Sequence, residues 1–83
     1  MKNQKKSLID TIMAFLHKES AYGGSLNSDG CRLYSYLIVV GEWDRDIIRL
    51  LKVNKGYCRT TDRHCGMLRA MAVAQGIQII EYS

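Results

Sequence analysis

The sequence predicts a small α+β domain: an N-terminal helix, an antiparallel sheet of three to four strands, a second helix and a C-terminal strand. Two stretches carry apolar residues at helical spacing, one after residue 7 and one after residue 61. Between them, residues 31–53 are rich in β-branched and aromatic types and are interrupted by a turn-forming segment. The 83 residues form one domain, of which we expect the basic residues 1–6 to be frayed.

The first helix is predicted over residues 7–19. Ser7 precedes the apolar pattern and Asp10 follows three positions later, as in a capping box with a shorter acid. Residues 21–30 then contain three glycines, two serines and an asparagine, and they end in the turn-prone pair Asp29 and Gly30. This composition predicts a loop.

The stretch from residue 31 to residue 43 is predicted to be extended. Its length allows either one bent strand or two strands joined by a tight bend at residues 35–37. Residues 44–46 are typical of a hairpin connection, and residues 47–53 of the next strand. Residues 54–56 predict another turn, in which Gly56 is free to take a positive φ.

The second helix is predicted to begin at Thr61 as N-cap, with Asp62 placed favourably for the helix dipole. Gly76 occupies the position expected of a glycine that follows a helix end. Residues 77–82 alternate well enough for a final strand. Four residues are expected to form the buried face of this helix: Met67, Leu68, Met71 and Ala72.

Composition limits the class of protein. Hydrophobic residues make up 47% of the chain, which is typical of a globular domain, and no apolar run reaches the length of a membrane span. The start of the chain resembles a signal peptide, but Asp10 and Thr11 interrupt its apolar part. Three cysteines are an odd number, which favours free thiols in a reducing compartment, so we expect a cytoplasmic protein.

Residues 56–71 crowd titratable side chains together, but their spacing does not predict a reaction. Cys31, Cys58, His64 and Cys65 offer soft ligands without the regular spacing of a zinc site. His64 and Cys65 are neighbours on a helix, so they do not face each other as a nucleophile and its base. We therefore expect no metal, no cofactor and no catalysis. His64 is expected at the seam between helix and sheet, with one ring nitrogen bonded to a backbone carbonyl, and Cys65 is expected to fill space as a small buried side chain.

Nucleic-acid binding is one candidate function. The net charge is +4, and the helix–sheet–helix order, with three arginines around the second helix, is reminiscent of double-stranded RNA-binding domains: Arg59, Arg63 and Arg69. Tyr34 and Tyr36, expected on one strand face, are able to stack bases. Against this candidate, Asp62 opens the helix with a charge that repels phosphate.

Protein binding is the favoured candidate. Five tyrosines and one tryptophan are more large rings than a chain of this length can bury, and exposed rings and arginines form interface hot spots. The edge of the last strand is also suited to pairing with a second copy in a homodimer. The residues expected to contact a partner are Tyr34, Tyr36, Trp43, Arg45 and Arg49.

Two stretches stand out together: Leu33-Tyr34-Ser35-Tyr36 in a predicted strand, and the motif Tyr57-x-x-Thr60-Thr61-x-x-His64 that enters a helix. In this order they resemble a family of small phage and prophage proteins of unknown function. Where such proteins have a polar turn after the first motif, this chain has apolar residues 37–39. The resemblance implies a non-enzymatic accessory protein that occupies a host protein or nucleoprotein complex, including as an anti-CRISPR or other anti-defence inhibitor. The alternative is a small protein that binds double-stranded RNA or DNA.

Overall fold

The computed structural model describes residues 6–51 and 59–82. The helices and strands, in chain order, are α1 (Leu8–Leu16), β1 (Ser20–Tyr22), β2 (Leu26–Asp29), β3 (Arg32–Ser35), β4 (Ile38–Asp44), β5 (Ile47–Leu51), α2 (Arg59–Ala74) and β6 (Gln78–Tyr82). The turn predicted at residues 54–56 lies outside the described residues. The predicted α+β class and the helix-first order are confirmed.

The strands form one six-stranded sheet whose spatial order is the chain order. Strands β1 to β5 are antiparallel neighbours, and β6 runs parallel to β5. The predicted antiparallel arrangement is confirmed for β1 to β5, but the sheet has more strands than predicted and its last pair, β5 with β6, is parallel. The parallel pair arises because α2 carries the chain back before β6 begins, as a helical crossover does.

Helix α1 begins as predicted, with Ser7 as N-cap. Its hydroxyl accepts the backbone N–H of Asp10 at 3.0 Å, and the hydroxyl of Thr11 donates to the Ser7 carbonyl at 2.8 Å. The helix ends at Leu16, earlier than the predicted residue 19. Of the six residues predicted to fray, residues 1–5 lie outside the described part, and the backbone N–H of Lys6 donates to the Tyr22 carbonyl at 2.8 Å.

The predicted loop at residues 21–30 is instead the hairpin of β1 and β2. The backbone N–H of Gly23 donates to the Leu26 carbonyl at 2.9 Å, and the Asn27 amide donates to the Gly24 carbonyl at 3.0 Å. Leu26 and Ser28 are buried while their neighbours are more exposed, which is the alternation of a strand. The sequence of β2 does not show this alternation clearly, because only one large apolar residue, Leu26, lies on its buried side.

Residues 31–43 form two strands, so the two-strand alternative is correct. Tyr36 and Leu37 make the turn between β3 and β4, and Tyr36 takes a φ of 57°. Leu37 is 97% exposed, so an apolar residue occupies a solvent-facing position of this turn. The predicted hairpin connection between β4 and β5 is confirmed, and Arg45 takes a φ of 62° there.

Helix α2 begins at Arg59, so the assignment of Thr61 as N-cap is wrong. Thr61 lies inside the first turn with its side chain fully buried, where its hydroxyl serves a contact to the sheet instead. Asp62 is in the first turn as predicted. Gly76 follows the helix end with a φ of 76°, a value that favours glycine.

Both helices pack on one face of the sheet. A Cβ atom added at Gly41 in β4 would meet Leu68 of α2 at 2.6 Å and Phe15 of α1 at 3.5 Å. This face is called the helix face below, and the opposite one the open face. No helix within residues 6–51 and 59–82 is both long and apolar enough to cross a membrane. The core residues are Ile12, Phe15, Leu16, Leu26, Leu33, Val40, Ile48, Leu50, Leu51, Cys65, Leu68 and Ala72.

Candidate functional site

The open face is the surface of the sheet that neither helix covers. Gly41 points to the helix face, so its strand neighbour Glu42 points to the open face. Cross-strand partners share a face, which places Arg32, Arg49 and Ile80 beside Glu42. One line of side chains thus crosses four strands of the open face, and it is called the charged row below: Arg32, Glu42, Arg49 and Ile80.

Charges alternate along the charged row. The Arg32 guanidinium donates to the Glu42 carboxylate at 3.2 Å, and Arg49 is the cross-strand partner of Glu42 on its other side. Asp29, at the end of β2, extends the alternation past Arg32. Opposite charges on neighbouring strands attract one another, although an exposed ion pair of this kind contributes little to stability.

Asp29 organises the edge of this face through both carboxylate oxygens. One oxygen accepts the backbone N–H groups of Cys31 at 2.8 Å and Arg32 at 2.6 Å, and the other accepts the Tyr34 hydroxyl at 3.3 Å. The hydrogen bond from the Arg32 backbone is the largest of the effects that lower the pKa of the Asp29 carboxyl. The carboxylate therefore fixes the position of the Tyr34 ring on the open face.

A second line of side chains on the open face carries its apolar contacts. Tyr22, Asn27, Tyr34 and Val39 are successive cross-strand partners from β1 to β4. Tyr22 is 56% exposed, and Tyr34 and Val39 are half-buried. Rings with polar tips beside alternating charges form a surface of the mixed type found in non-obligate protein interfaces.

Of the residues predicted to bind a partner, Tyr34 and Arg49 lie on the open face. Trp43 does not, because its cross-strand partner Ile48 is a buried core residue. The indole N–H of Trp43 donates to the Phe15 carbonyl at 2.7 Å, and Lys18 Nζ lies 4.7 Å from its ring centroid. Trp43 therefore fastens the end of α1 to the sheet.

Tyr36 and Arg45 lie in turns at opposite ends of β4. The prediction that Tyr34 and Tyr36 share a strand face is wrong, because Tyr36 has left the strand. Its backbone N–H donates to the Ser25 carbonyl at 2.9 Å, and its side chain is 53% exposed. The seven residues of β4 separate the two turns by about 20 Å at the usual rise per residue. The five predicted residues thus do not form one patch.

The three arginines of the nucleic-acid alternative lie on α2 and are exposed. Arg69 forms an ion pair with Glu81 of β6, and Asp62 lies in the same helical turn as Arg59 and Arg63. Phosphate binding gains from cations whose charge is not already compensated. The charge of Arg69 is therefore compensated within the protein, and the acidic side chain of Asp62 lies near the other two arginines.

A buried polar cluster joins β3 to α2. The Ser35 hydroxyl lies 2.7 Å from Nδ1 of His64 and 3.1 Å from the Thr61 hydroxyl, and all three side chains are fully buried. His64 lies at the seam as predicted, but its Nδ1 partner is a hydroxyl rather than a backbone carbonyl. A serine beside a histidine resembles a nucleophile with its base. Burial keeps this hydroxyl out of reach of a substrate.

Cys65 is buried beside this cluster, which is the space-filling role predicted for it. Burial is the main cause that raises the pKa of its thiol to about 11, so the thiol stays protonated at neutral pH. Cys31 is exposed, and Cys58 lies outside the described residues. Across residues 6–51 and 59–82 no three His, Cys, Asp or Glu side chains lie close enough together to hold a metal ion.

The sequence alone does not identify several residues of the open face. Tyr22 and Asp29 fell within the predicted loop, and Ile80 was assigned only to a generic final strand. Alternation was the available signal: Leu26 and Ser28 are buried, and Asn27 and Asp29 between and beyond them are not. The charges of Arg32 and Glu42 form a row only when strand register is known, which no local pattern supplies.

Comparisons with protein-family models, with curated proteins and with solved structures find no match to this chain. The resemblance to small phage and prophage proteins therefore stays a prediction.

Proposed function

We propose that the chain is a non-enzymatic binding domain that docks a protein partner on the open face of its sheet. The observation that supports this proposal is the position of both helices on one face, so that neither helix covers the charged row and the tyrosines of the other face. Tyr34 is the central ring, because Asp29 holds its hydroxyl and its half-buried ring costs little entropy to dock.

A protein partner fits this face better than a nucleic acid does. Phosphate backbones require an excess of positive side chains, whereas the arginines of the charged row alternate with Glu42 and Asp29. Alternating charges fix the register of a partner and exclude partners whose charges do not match. The same pattern contributes little to non-specific attraction.

The finer proposal follows from the resemblance in the sequence. We take the domain to be a phage or prophage accessory protein that acts in the host cytoplasm, and the docked partner to be a host protein or nucleoprotein complex. Occupation of a partner's working surface inhibits it without any reaction, as an anti-CRISPR or other anti-defence inhibitor does. The inhibitory outcome depends on which surface of the partner is covered.

Site-specific photo-crosslinking tests the docking surface. p-Benzoylphenylalanine placed at Tyr34 or Tyr22 should give a discrete adduct with one bacterial protein, identified by mass spectrometry. The matched control places the same probe at Val73, which is 63% exposed on α2 and hence away from the open face. Adducts at Val73 but not at Tyr34 or Tyr22 would move the docking surface to the helices.

A salt series separates the two partner classes. A complex with double-stranded DNA or RNA should lose affinity steeply as salt rises, because phosphate contacts release counterions. We expect no gel shift with either duplex at low salt. A duplex complex that Arg59→Ala and Arg63→Ala abolish would replace the protein-binding proposal with nucleic-acid binding by α2.

A further inference from the structure

The outer edge of β6 is the least protected edge of the sheet. Among the strands that residues 6–51 and 59–82 form, β6 has a neighbour on one side only. Backbone N–H and C=O groups on its other side point outward, and such groups template the addition of another strand. Ile80, in the middle of β6, is 47% exposed.

The opposite edge of the sheet, at β1, is protected against the addition of another strand, whereas the edge at β6 is less so. Strand β1 has only three residues, and the Lys6 backbone N–H occupies the Tyr22 carbonyl at 2.8 Å. Natural sheets commonly protect an edge with lysine, proline, a bulge, a short strand or an inward-pointing charge, and the inward-pointing charge of β6, on Glu81, is paired with Arg69 of α2. Residues 78–82 contain neither lysine nor proline and pair with β5 without a shift of register.

The charge on β6 is also compensated within the protein. Glu81 shares the helix face with its partner Leu50, and its carboxylate pairs with Arg69 of α2. A second β6 therefore meets no uncompensated like charge when it approaches this edge. The remaining described side chains of the strand are neutral: Gln78, Ile79 and Ile80.

We infer that β6 pairs with β6 of a second copy, antiparallel, about a two-fold axis centred on Ile80. This pairing closes after two copies and joins the two six-stranded sheets into one. It places Ile80 directly opposite Ile80 of the second copy, with Cβ atoms about 4.5–5.5 Å apart. Gln78 then lies in register with Tyr82 of the second copy.

The pairing goes beyond the docking function and does not depend on it. Ile80 belongs to the open face, and edge pairing keeps the open faces of both copies on the same side of the joined sheet. The dimer therefore presents two copies of the charged row to one partner assembly, which raises avidity when the partner has two matching sites.

Sedimentation equilibrium across a concentration series tests the pairing. The full chain should show a reversible monomer–dimer equilibrium, and Ile80→Lys should raise its dissociation constant at least about tenfold, since two like charges then face each other. Val73→Lys makes the same charge change on α2 and should leave the constant unchanged. A monomer at every concentration, or a dimer equally weakened by Val73→Lys, overturns the inference.

Cross-linking tests the register. In a chain with Cys31→Ser and Cys58→Ser, Ile80→Cys should form a disulfide dimer when copper–phenanthroline is added as oxidant, because the two Cβ atoms lie within reach. Val73→Cys in the same background should stay monomeric. A dimer that persists in sedimentation but never cross-links through position 80 contradicts β6 pairing. Loss of partner binding with the dimer intact would overturn only the proposed function.

Discussion

The hydroxyl of Ser35 in β3 lies 2.7 Å from Nδ1 of His64 in α2, and both side chains are fully buried. With the Thr61 hydroxyl 3.1 Å from the same Ser35 oxygen, these contacts fasten the second helix to the middle of the sheet. Nε2 of His64 has no hydrogen-bond partner among the described residues. A tautomer protonated at Nδ1 satisfies this geometry best, because it leaves only a lone pair at the buried Nε2.

Ser35→Ala should lower the free energy of unfolding by about 1–3 kcal/mol, because Nδ1 of buried His64 loses its partner. Urea denaturation measures the change. Ser20→Ala, at an exposed position of β1, is the matched control and should stay within about 0.5 kcal/mol of the parent. Equal effects of the two substitutions would contradict the role of the buried cluster.

The stability should depend on pH through His64. Burial, followed by the nearby Arg63 charge, lowers the pKa of the His64 side chain below its usual 6.5. The unfolded chain therefore binds the proton more readily than the folded chain does. The contribution of neutral His64 to the free energy of unfolding is thus fully present above pH 6.5, and it is lost as the pH falls toward the lowered folded-state pKa. Urea unfolding between pH 5 and 8 measures this loss.

His64→Asn is the control for that pH series. Asparagine keeps a polar group near the position of Nδ1 and removes the titrating ring, so the decline below pH 6.5 should become shallower. An unchanged decline would assign the pH dependence to other groups.

Substitution of alanine for two of the glycines should change the stability of the protein in opposite directions. A Cβ at Gly23 meets the Leu26 carbonyl oxygen at 2.6 Å and the Thr11 hydroxyl still closer, so Gly23→Ala should destabilise the protein by more than about 1 kcal/mol. A Cβ at Gly66 meets nothing within 4 Å, so Gly66→Ala should add about 0.5–1 kcal/mol through helix propensity. Thermal unfolding of both variants measures these changes. A change of stability in the same direction for both variants would contradict either the hairpin geometry at Gly23 or the open space beside Gly66.

Trp43→Phe separates structure from partner binding. The substitution keeps a ring beside Phe15 and removes the indole N–H, which should cost about 0.5–1.5 kcal/mol of stability. The affinity for the partner captured by cross-linking should not change, because Trp43 faces α1. Loss of affinity with unchanged stability would return Trp43 to the binding surface that the sequence predicted.

The parts of the fold that the sequence predicts correctly are those with local causes. Ser7 caps α1 through a bond three residues away, and Gly76 takes the positive φ that its position requires. Thr61 was misplaced because its hydroxyl serves Ser35, which is 26 residues distant. The charged row depends on strand register, and the sequence does not show that Trp43 faces α1, because alternation alone does not say which face of the sheet the helices cover.

The affinity of Tyr34→Ala for the captured partner shows whether the open face docks that partner. Calorimetric titration should show binding weakened at least about tenfold relative to the parent chain, as expected for the loss of a hot-spot ring. Val73→Ala on α2 should bind as the parent does. Parent-like affinity of Tyr34→Ala together with weakened binding by Val73→Ala would contradict docking on the open face and place the partner on the helices.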